Sequence, residues 1–391
     1  MAAGKRAHRR TLTTAVVAAL GALSLGFTTA PAQEAQQQAS SGWIVVLHDG
    51  ELSTATDSAR TVRGHGARIE TTYRTALNGY AVQATSTQAA KLAADPAVRA
   101  VVPDTQVRAH AVQDNAPWHL DRLDDGNGPS DGSYEYPDSA GEGVTAYVLD
   151  TGVRITHQEF GGRASYGYDA VGDGDQAPDD NGHGTHVAGI IAGEEYGVAK
   201  KAEVKAVRVL DGNGAGTVSD VIEGIDWVTA NAQKPAVAVM SLGGSANQAL
   251  DEAVRNSIAS GVTYSVAAGG SAADAGNFSP ARVEEALTVS STGTDDNRAG
   301  FANYGSVVDL FAPGVDITAA WNTSDTALNT LSGTSSSAAI VAGLVAVELG
   351  ETGDNAPAAV AEALKSYAAK DAVGSPGTGT PNLLAQVRPV G

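Results

Sequence analysis

From residue 144 to residue 349 the chain alternates short apolar runs with longer stretches of helical period, and this alternation constrains its fold more than any other feature. Residues 144–149, 204–210, 235–240 and 262–267 have the length and Val/Ala content of buried strands. Residues 184–193, 218–231, 247–260 and 335–349 have the length and spacing of helices. Strands and helices alternating in this way imply an α/β fold, a doubly wound, mainly parallel sheet flanked by helices. Functional groups in such a sheet gather at the carboxyl ends of its strands. No internal repeat is visible.

A chain of 391 residues has room for more than this one unit. Residues 1–32 read as a secretory signal peptide. Lys5, Arg6, Arg9 and Arg10 precede an apolar stretch, and Ala30-Pro31-Ala32 fits a small-x-small cleavage site. The other reading is a membrane anchor, but Thr, Ser and Gly interrupt the stretch. The expectation is a secreted, extracellular protein with no membrane association once the signal is removed. A Gln-rich connector follows, then a small α+β unit. Its strands are expected at 43–47, 68–73, 79–84 and 98–102. A helix at 89–94 follows the capping-box pattern Thr85-Ser86-Thr87-Gln88 and stops at Asp95-Pro96. Residues 33–111 are taken as this small domain and 112–391 as the large one.

Charge is unevenly placed. Residues 33–111 carry seven bases and seven acids, whereas 112–391 carry 14 bases against 37 acids. A domain so acidic repels phosphate backbones, which excludes nucleic acid as a partner. The glycine run at 212–216 lacks the Lys-Ser/Thr ending of a phosphate loop. There is no cysteine, so disulfides, a thiol nucleophile and thiolate metal sites are all excluded. Calcium on oxygen ligands stays open.

Three groups at element ends carry the chemistry. Asp150 closes the first apolar run, His183 begins a helical segment in Asn181-Gly182-His183-Gly184-Thr185-His186, and Ser335 begins another in Gly333-Thr334-Ser335. A serine hydroxyl is a poor nucleophile until an imidazole takes its proton, and the imidazole needs a buried carboxylate to fix its tautomer. A helix N-terminus offers N–H groups to a developing oxyanion. Taken singly, such an Asp reads as a turn residue and such a Ser as an N-cap.

Their contexts together change that reading. Asp150-Thr151-Gly152, His183-Gly184-Thr185-His186-Val187-Ala188-Gly189 and Gly333-Thr334-Ser335 resemble the signature of the subtilisin-like serine proteases (subtilases), most closely the proteinase K branch. Met240-Ser241-Leu242-Gly243-Gly244 and the segment from Tyr304-Gly305 to Ala312-Pro313-Gly314 extend the likeness. The order Asp, His, Ser along the chain is also the order in that family. The resemblance implies that Asp150 orients, His183 acts as general base then acid, and Ser335 attacks; His186 is then a packing residue. It implies that an extended peptide pairs with the backbone around Gly214 and along Ser241, Leu242 and Gly243, while Ala267 and Gly269 line the primary specificity pocket. It also implies that residues 33–111 are an inhibitor and chaperone propeptide, cut near Ala111-Val112. The partners are polypeptide substrates and the chain's own propeptide, and the mature enzyme is expected to act as a monomer.

Two departures fall in the active site. The family's oxyanion-donating Asn, after Ala-Ala-Gly, is here Gly270, and loss of such a donor costs about 10²–10³ in turnover. Ser336, Ser337, Ala338, Ala339 and Ile340 replace the family's Met-Ala-Thr-Pro-His after the nucleophile. The expectation is a serine endopeptidase with weakened oxyanion stabilisation; the alternative is a pseudoprotease that binds peptides without useful turnover. The resemblance also implies structural calcium, held by Asp309 and the carbonyls of Glu284 and Ala286. The acidic loop from Asp173 to Asp180 reads as solvated, with a further ion as its other reading.

Overall fold

The computed structural model describes residues 41–48, 55–104, 110–128, 130–172, 174–353 and 356–390. The signal segment and Asp173 lie outside these residues. Two compact units, Met1–Gln106 and Val107–Gly391, divide the chain.

In the first unit, strands β1 (Ser41–Leu47), β2 (Arg68–Tyr73), β3 (Gly79–Ala84) and β4 (Val98–Pro103) form an antiparallel sheet in the order β2-β3-β1-β4. Val45, Leu47, Tyr80, Val82 and Val98 fill its core with Leu92. Helix α1 (Ala55–Gly64) was not legible from the sequence; α2 (Ser86–Ala93) was. Thr85 Oγ1 accepts from the Gln88 amide while Gln88 Oε1 accepts from the Thr85 amide, closing a reciprocal cap.

The second unit opens with β5 (His110–Asp114), α3 (Trp118–Asp121) and β6 (Ser133–Pro137). β5 pairs antiparallel with β6, setting Ala111 opposite Tyr136 and Val112 opposite Glu135. The strand therefore runs straight across the 111/112 boundary drawn from the sequence. Then come β7 (Thr145–Asp150), β8 (Ala164–Asp169), α4 (His183–Ala192), β9 (Glu203–Arg208), α5 (Val218–Asn231) and β10 (Ala236–Met240). A short β11 (Gly244–Ser245) leads to α6 (Gln248–Ala259), β12 (Thr263–Ala267), β13 (Phe278–Ser279), β14 (Leu287–Thr292) and β15 (Leu310–Pro313). The hairpin β16 (Ile317–Ala320) and β17 (Leu328–Leu331) precedes α7 (Thr334–Thr352) and α8 (Pro357–Tyr367), and β18 (Ala369–Lys370) and β19 (Leu383–Leu384) end the described fold.

Nine of these strands make one sheet in the order β18-β19-β15-β14-β12-β10-β7-β9-β8. Every pairing in it is parallel except β18 with β19. The two-residue period of β7 sends Ala146 and Val148 to one core and Tyr147 and Leu149 to the other. Helices α4 and α7 fill the first core, α5 and α6 the second, as the doubly wound reading requires. Helix α7 is buried from Ser336 through Leu349. None of the described helices is long and apolar enough to cross a membrane.

Candidate active site

Strand β7 delivers Asp150 to the carboxyl edge of the sheet, where the residue is fully buried. His183 is the first residue of α4, with its side chain 27% exposed. Its Nδ1 lies 2.7 Å from Asp150 Oδ1 and 2.9 Å from Oδ2. Oδ1 also accepts the Thr151 amide at 2.8 Å. The carboxylate thus engages the Nδ1 edge of the imidazole, and His183 lines the cleft. Its charge raises the pKa of His183 above the usual 6.5, against the opposing effect of burial.

Two glycines let α4 start here. Gly182 caps it at φ 118°, a left-handed conformation natural to glycine. At Gly184 a Cβ would sit 2.1 Å from the Gly152 carbonyl, so any side chain would push the helix off the strand end. His186, three residues on, is buried and bonds the Ile317 carbonyl through Nε2 at 3.0 Å; burial lowers its pKa to about 4. It packs and does not face the cleft, as the family likeness implies.

Ser335 is the second residue of α7. Its hydroxyl donates to the Ser241 carbonyl at 3.1 Å rather than to His183, and Ser241 Oγ donates back to the Ser335 carbonyl at 3.0 Å. The altered segment behind it is firmly anchored. Ser337 Oγ lies 3.0 Å from the carbonyls of both Ala312 and Pro313 and 2.8 Å from Ser291 Oγ. Ser337 takes up bonds that an alanine there could not make.

The cleft has two hollows sharing Ser241, Leu242 and Gly243. One, of about 780 Å³, is lined by His183, Asn181, Gly214, Leu242 and Leu250. The other, of about 480 Å³, is lined by Ala267, Gly269, Gly270, Phe301 and Ser335. All six residues expected to bind substrate therefore line the cleft. At Gly270 a Cβ would meet nothing within 4 Å, so the place of the missing amide is open space. Asn303 is buried behind it. Its Oδ1 accepts the Ser271 and Ala273 amides and its Nδ2 donates to the Ala268 carbonyl, so the loop stays shaped despite the loss.

Two places suit a hard cation. Asp309 Oδ2 accepts the Thr288 amide at 2.9 Å, and burial lifts this carboxyl to about 6. Lys365 stands 3.8 Å from its Oδ1, so a cation there would compete with an ammonium. The sequence reading missed the second place. Carboxylate oxygens of Asp121, Asp125 and Asp131 lie within 4.8 Å of one another, and Asp124 Oδ1 and Asp125 Oδ2 are buried without a hydrogen-bond partner. Burial, reinforced by Asp125 and Asp131, raises Asp124 to about 7. The signal was present as four aspartates and two glycines within residues 121–131, a spacing suited to oxygen ligands.

A parallel α/β sheet with a buried Asp–His pair at a strand end, beside an open cleft lined by Ser335, has the layout of an enzyme site. Comparison with known proteins narrows it. Residues 141–382 match the model of the subtilase family, and residues 28–110 match that of peptidase inhibitor I9. The chain belongs to the subtilase family: it is a subtilisin-like serine proteinase preceded by an inhibitor-type propeptide. It is 52% identical over 325 residues to an extracellular serine proteinase of a Thermus species, covering 83% of this chain and 79% of that protein. It is 46% identical over 314 residues to subtilisin-like protease 2 of Pseudogymnoascus destructans, covering 80% and 78%. A crystal structure of a cold-adapted subtilisin-like serine proteinase superposes with a TM-score of 0.69 at 49% identity, covering 70% of this chain and 99% of that one.

Proposed function

We propose that this chain is exported as a precursor, removes its own propeptide and hydrolyses peptide bonds by acyl transfer to Ser335. The observation that carries this reading is the two-oxygen contact between buried Asp150 and the His183 imidazole. In the first step Ser335 Oγ leaves the Ser241 carbonyl, loses its proton to His183 Nε2 and attacks the substrate carbonyl carbon. Asp150 holds Nδ1 protonated and stabilises the imidazolium. The tetrahedral oxyanion is met by the Ser335 amide at the head of α7, where helix N–H groups lack partners within the helix. His183 then protonates the leaving amine, and water, deprotonated by the same ring, releases the acyl-enzyme. Gly270 supplies no side-chain donor, so turnover sits about 10²–10³ below that of an enzyme carrying both. Bound calcium would supply fixed positive charge to the carboxylates of the Asp121 cluster, and to Asp309 if Lys365 yields. Export rests on residues 1–32 and on the extracellular name of one relative.

The test is the intact mass of the secreted protein, wild type beside Ser335→Ala, with calcium present. The reading expects the wild type to lose the segment up to about residue 111 and the variant to keep it, with peptide hydrolysis falling by about 10⁶. A wild type that keeps its propeptide, or a variant that sheds it equally well, overturns the reading and favours a peptide-binding protein without turnover.

A further inference from the structure

Asp179 belongs to the acidic loop that the sequence presents as solvated, yet its carboxylate is wholly engaged by protein donors. Oδ1 accepts Thr151 Oγ1 at 2.8 Å, the Asn181 amide at 3.0 Å and the Gly182 amide at 2.8 Å. Oδ2 accepts the Thr185 amide at 2.9 Å and its hydroxyl at 2.5 Å. Thr151 Oγ1 in turn accepts the Gly184 amide at 2.9 Å. These donors flank His183 on both sides, and one of them is the residue next to Asp150. Five donors also fill the coordination that a metal ion would need, which removes the ion reading for this residue.

We propose that Asp179 is a positioning residue of the peptidase reaction: its carboxylate ties the carboxyl end of β7 to the head of α4, so that Asp150 and His183 are set as one unit. The proposal rests on the roles assigned to those two residues above. Two physical consequences follow. A carboxylate presents only acceptors, and every group facing Asp179 is a donor; an amide in its place would turn an N–H₂ group toward other N–H groups on one side. The charge also matters. The charges that act on the His183 ring are Asp150 from β7 and Asp179 from the preceding loop, while burial disfavours a charge on His186 of the same helix. Asp179 is thus the second negative charge that favours the imidazolium, after Asp150. A purely structural tether would influence folding but would not act on the ring's titration.

The experiment uses the full-length chain carrying Ser335→Ala, which needs no turnover, with and without Asp179→Asn. The His183 ring is followed by NMR across pH. Asp179→Asn should lower the His183 midpoint by several tenths of a pH unit and broaden the downfield Nδ1 proton of the bond to Asp150. In the active chain the same substitution should lower kcat by about 10- to 100-fold with little change in KM, because misplacement rather than lost binding is the defect. Thr151→Val, which removes the bridge but not the charge, should lower kcat while leaving the midpoint in place, and Thr151→Ser should restore it. An unmoved midpoint together with an unchanged Nδ1 signal overturns the proposal. If Asp179→Asn does not fold, wild-type kcat in Thr151→Val overturns it instead. Full activity in the Ser335→Ala chain would refute the nucleophile assignment, yet the His183 titration would still decide the role of Asp179.

Discussion

On the base side of the cleft, Asp150 and His183 are held by bonds from β7, from Thr151, from Asp179 and from the start of α4. On the proposed nucleophile side, Ser335 exchanges bonds with Ser241 through its hydroxyl and its carbonyl, and the position proposed to complete the oxyanion hole, Gly270, faces open space. The base side carries the family signature intact, and proton transfer is the role proposed for its groups. The departures all lie opposite, on the side proposed to stabilise charge on the substrate oxygen. On the proposed mechanism, this chain is equipped to generate a nucleophile but has fewer means of lowering the barrier that follows. Proton transfer and oxyanion binding contribute separately to rate, so one side can weaken while the other remains whole.

The largest effect that sharpens this contrast comes from the intact side. Asp150→Asn should lower kcat by about 10⁴, because the amide fixes the wrong imidazole tautomer. Steady-state hydrolysis of a peptide substrate measures it; a loss of less than tenfold would mean that Asp150 does not orient the ring. Next comes a gain on the depleted side. Gly270→Asn should raise kcat by about 10², since a side chain there meets no neighbour and the backbone lies outside the left-handed region. No gain in a folded, self-processed variant would locate the weakness in the segment after Ser335.

The smallest effect on turnover concerns a region remote from both sides, the cluster of Asp121, Asp125 and Asp131. Neighbouring Asp124 is raised from 3.8 to about 7, so the folded chain keeps a proton there that the unfolded chain has already lost. Without a cation, stability therefore falls as pH rises between those two values. A cation on the ionised cluster offsets the loss above about pH 7. Calcium at 100 times its dissociation constant should raise the melting temperature at pH 8 by roughly 5–10 °C over chelated protein, and by less at pH 5. Equal melting temperatures with calcium and chelator at pH 8 would remove the ion from this site.

Legibility followed the range of the interaction that fixes each feature. The strands at 144–149, 235–240 and 262–267 and the helix at 218–231 were readable because burial on both faces of a sheet, or along one face of a helix, writes a local period into the sequence. Helix α1 was not, since its residues, Ala55–Gly64, are mostly polar. Strands β8 and β14 also went unread. Asp150 and His183 could be named only through the family likeness, because 33 residues separate them and no local pattern carries a contact made in space. Asp179 was read as solvated because an aspartate among aspartates looks exposed. Its five donors come from residues 151 to 185, and only the fold brings them to one carboxylate. Ser337 shows the opposite bias. In sequence it is one of five replacements behind Ser335 with no visible partner, yet in the fold its hydroxyl meets two carbonyls and a second hydroxyl.

A protease in concentrated solution is its own most abundant potential substrate. Cleavage requires a stretch of chain to leave the fold and lie extended in another molecule's cleft, and segments do so in order of how little they bury. Ser335 heads α7, whose residues from Ser336 to Leu349 are enclosed by the sheet and its neighbouring helices. The proposed nucleophile is thus carried on one of the segments least available for self-digestion. Exposed loops would be nicked first, and the hydroxyl would be lost only when the core itself opens, so ageing of the enzyme should trim its surface before it silences its chemistry.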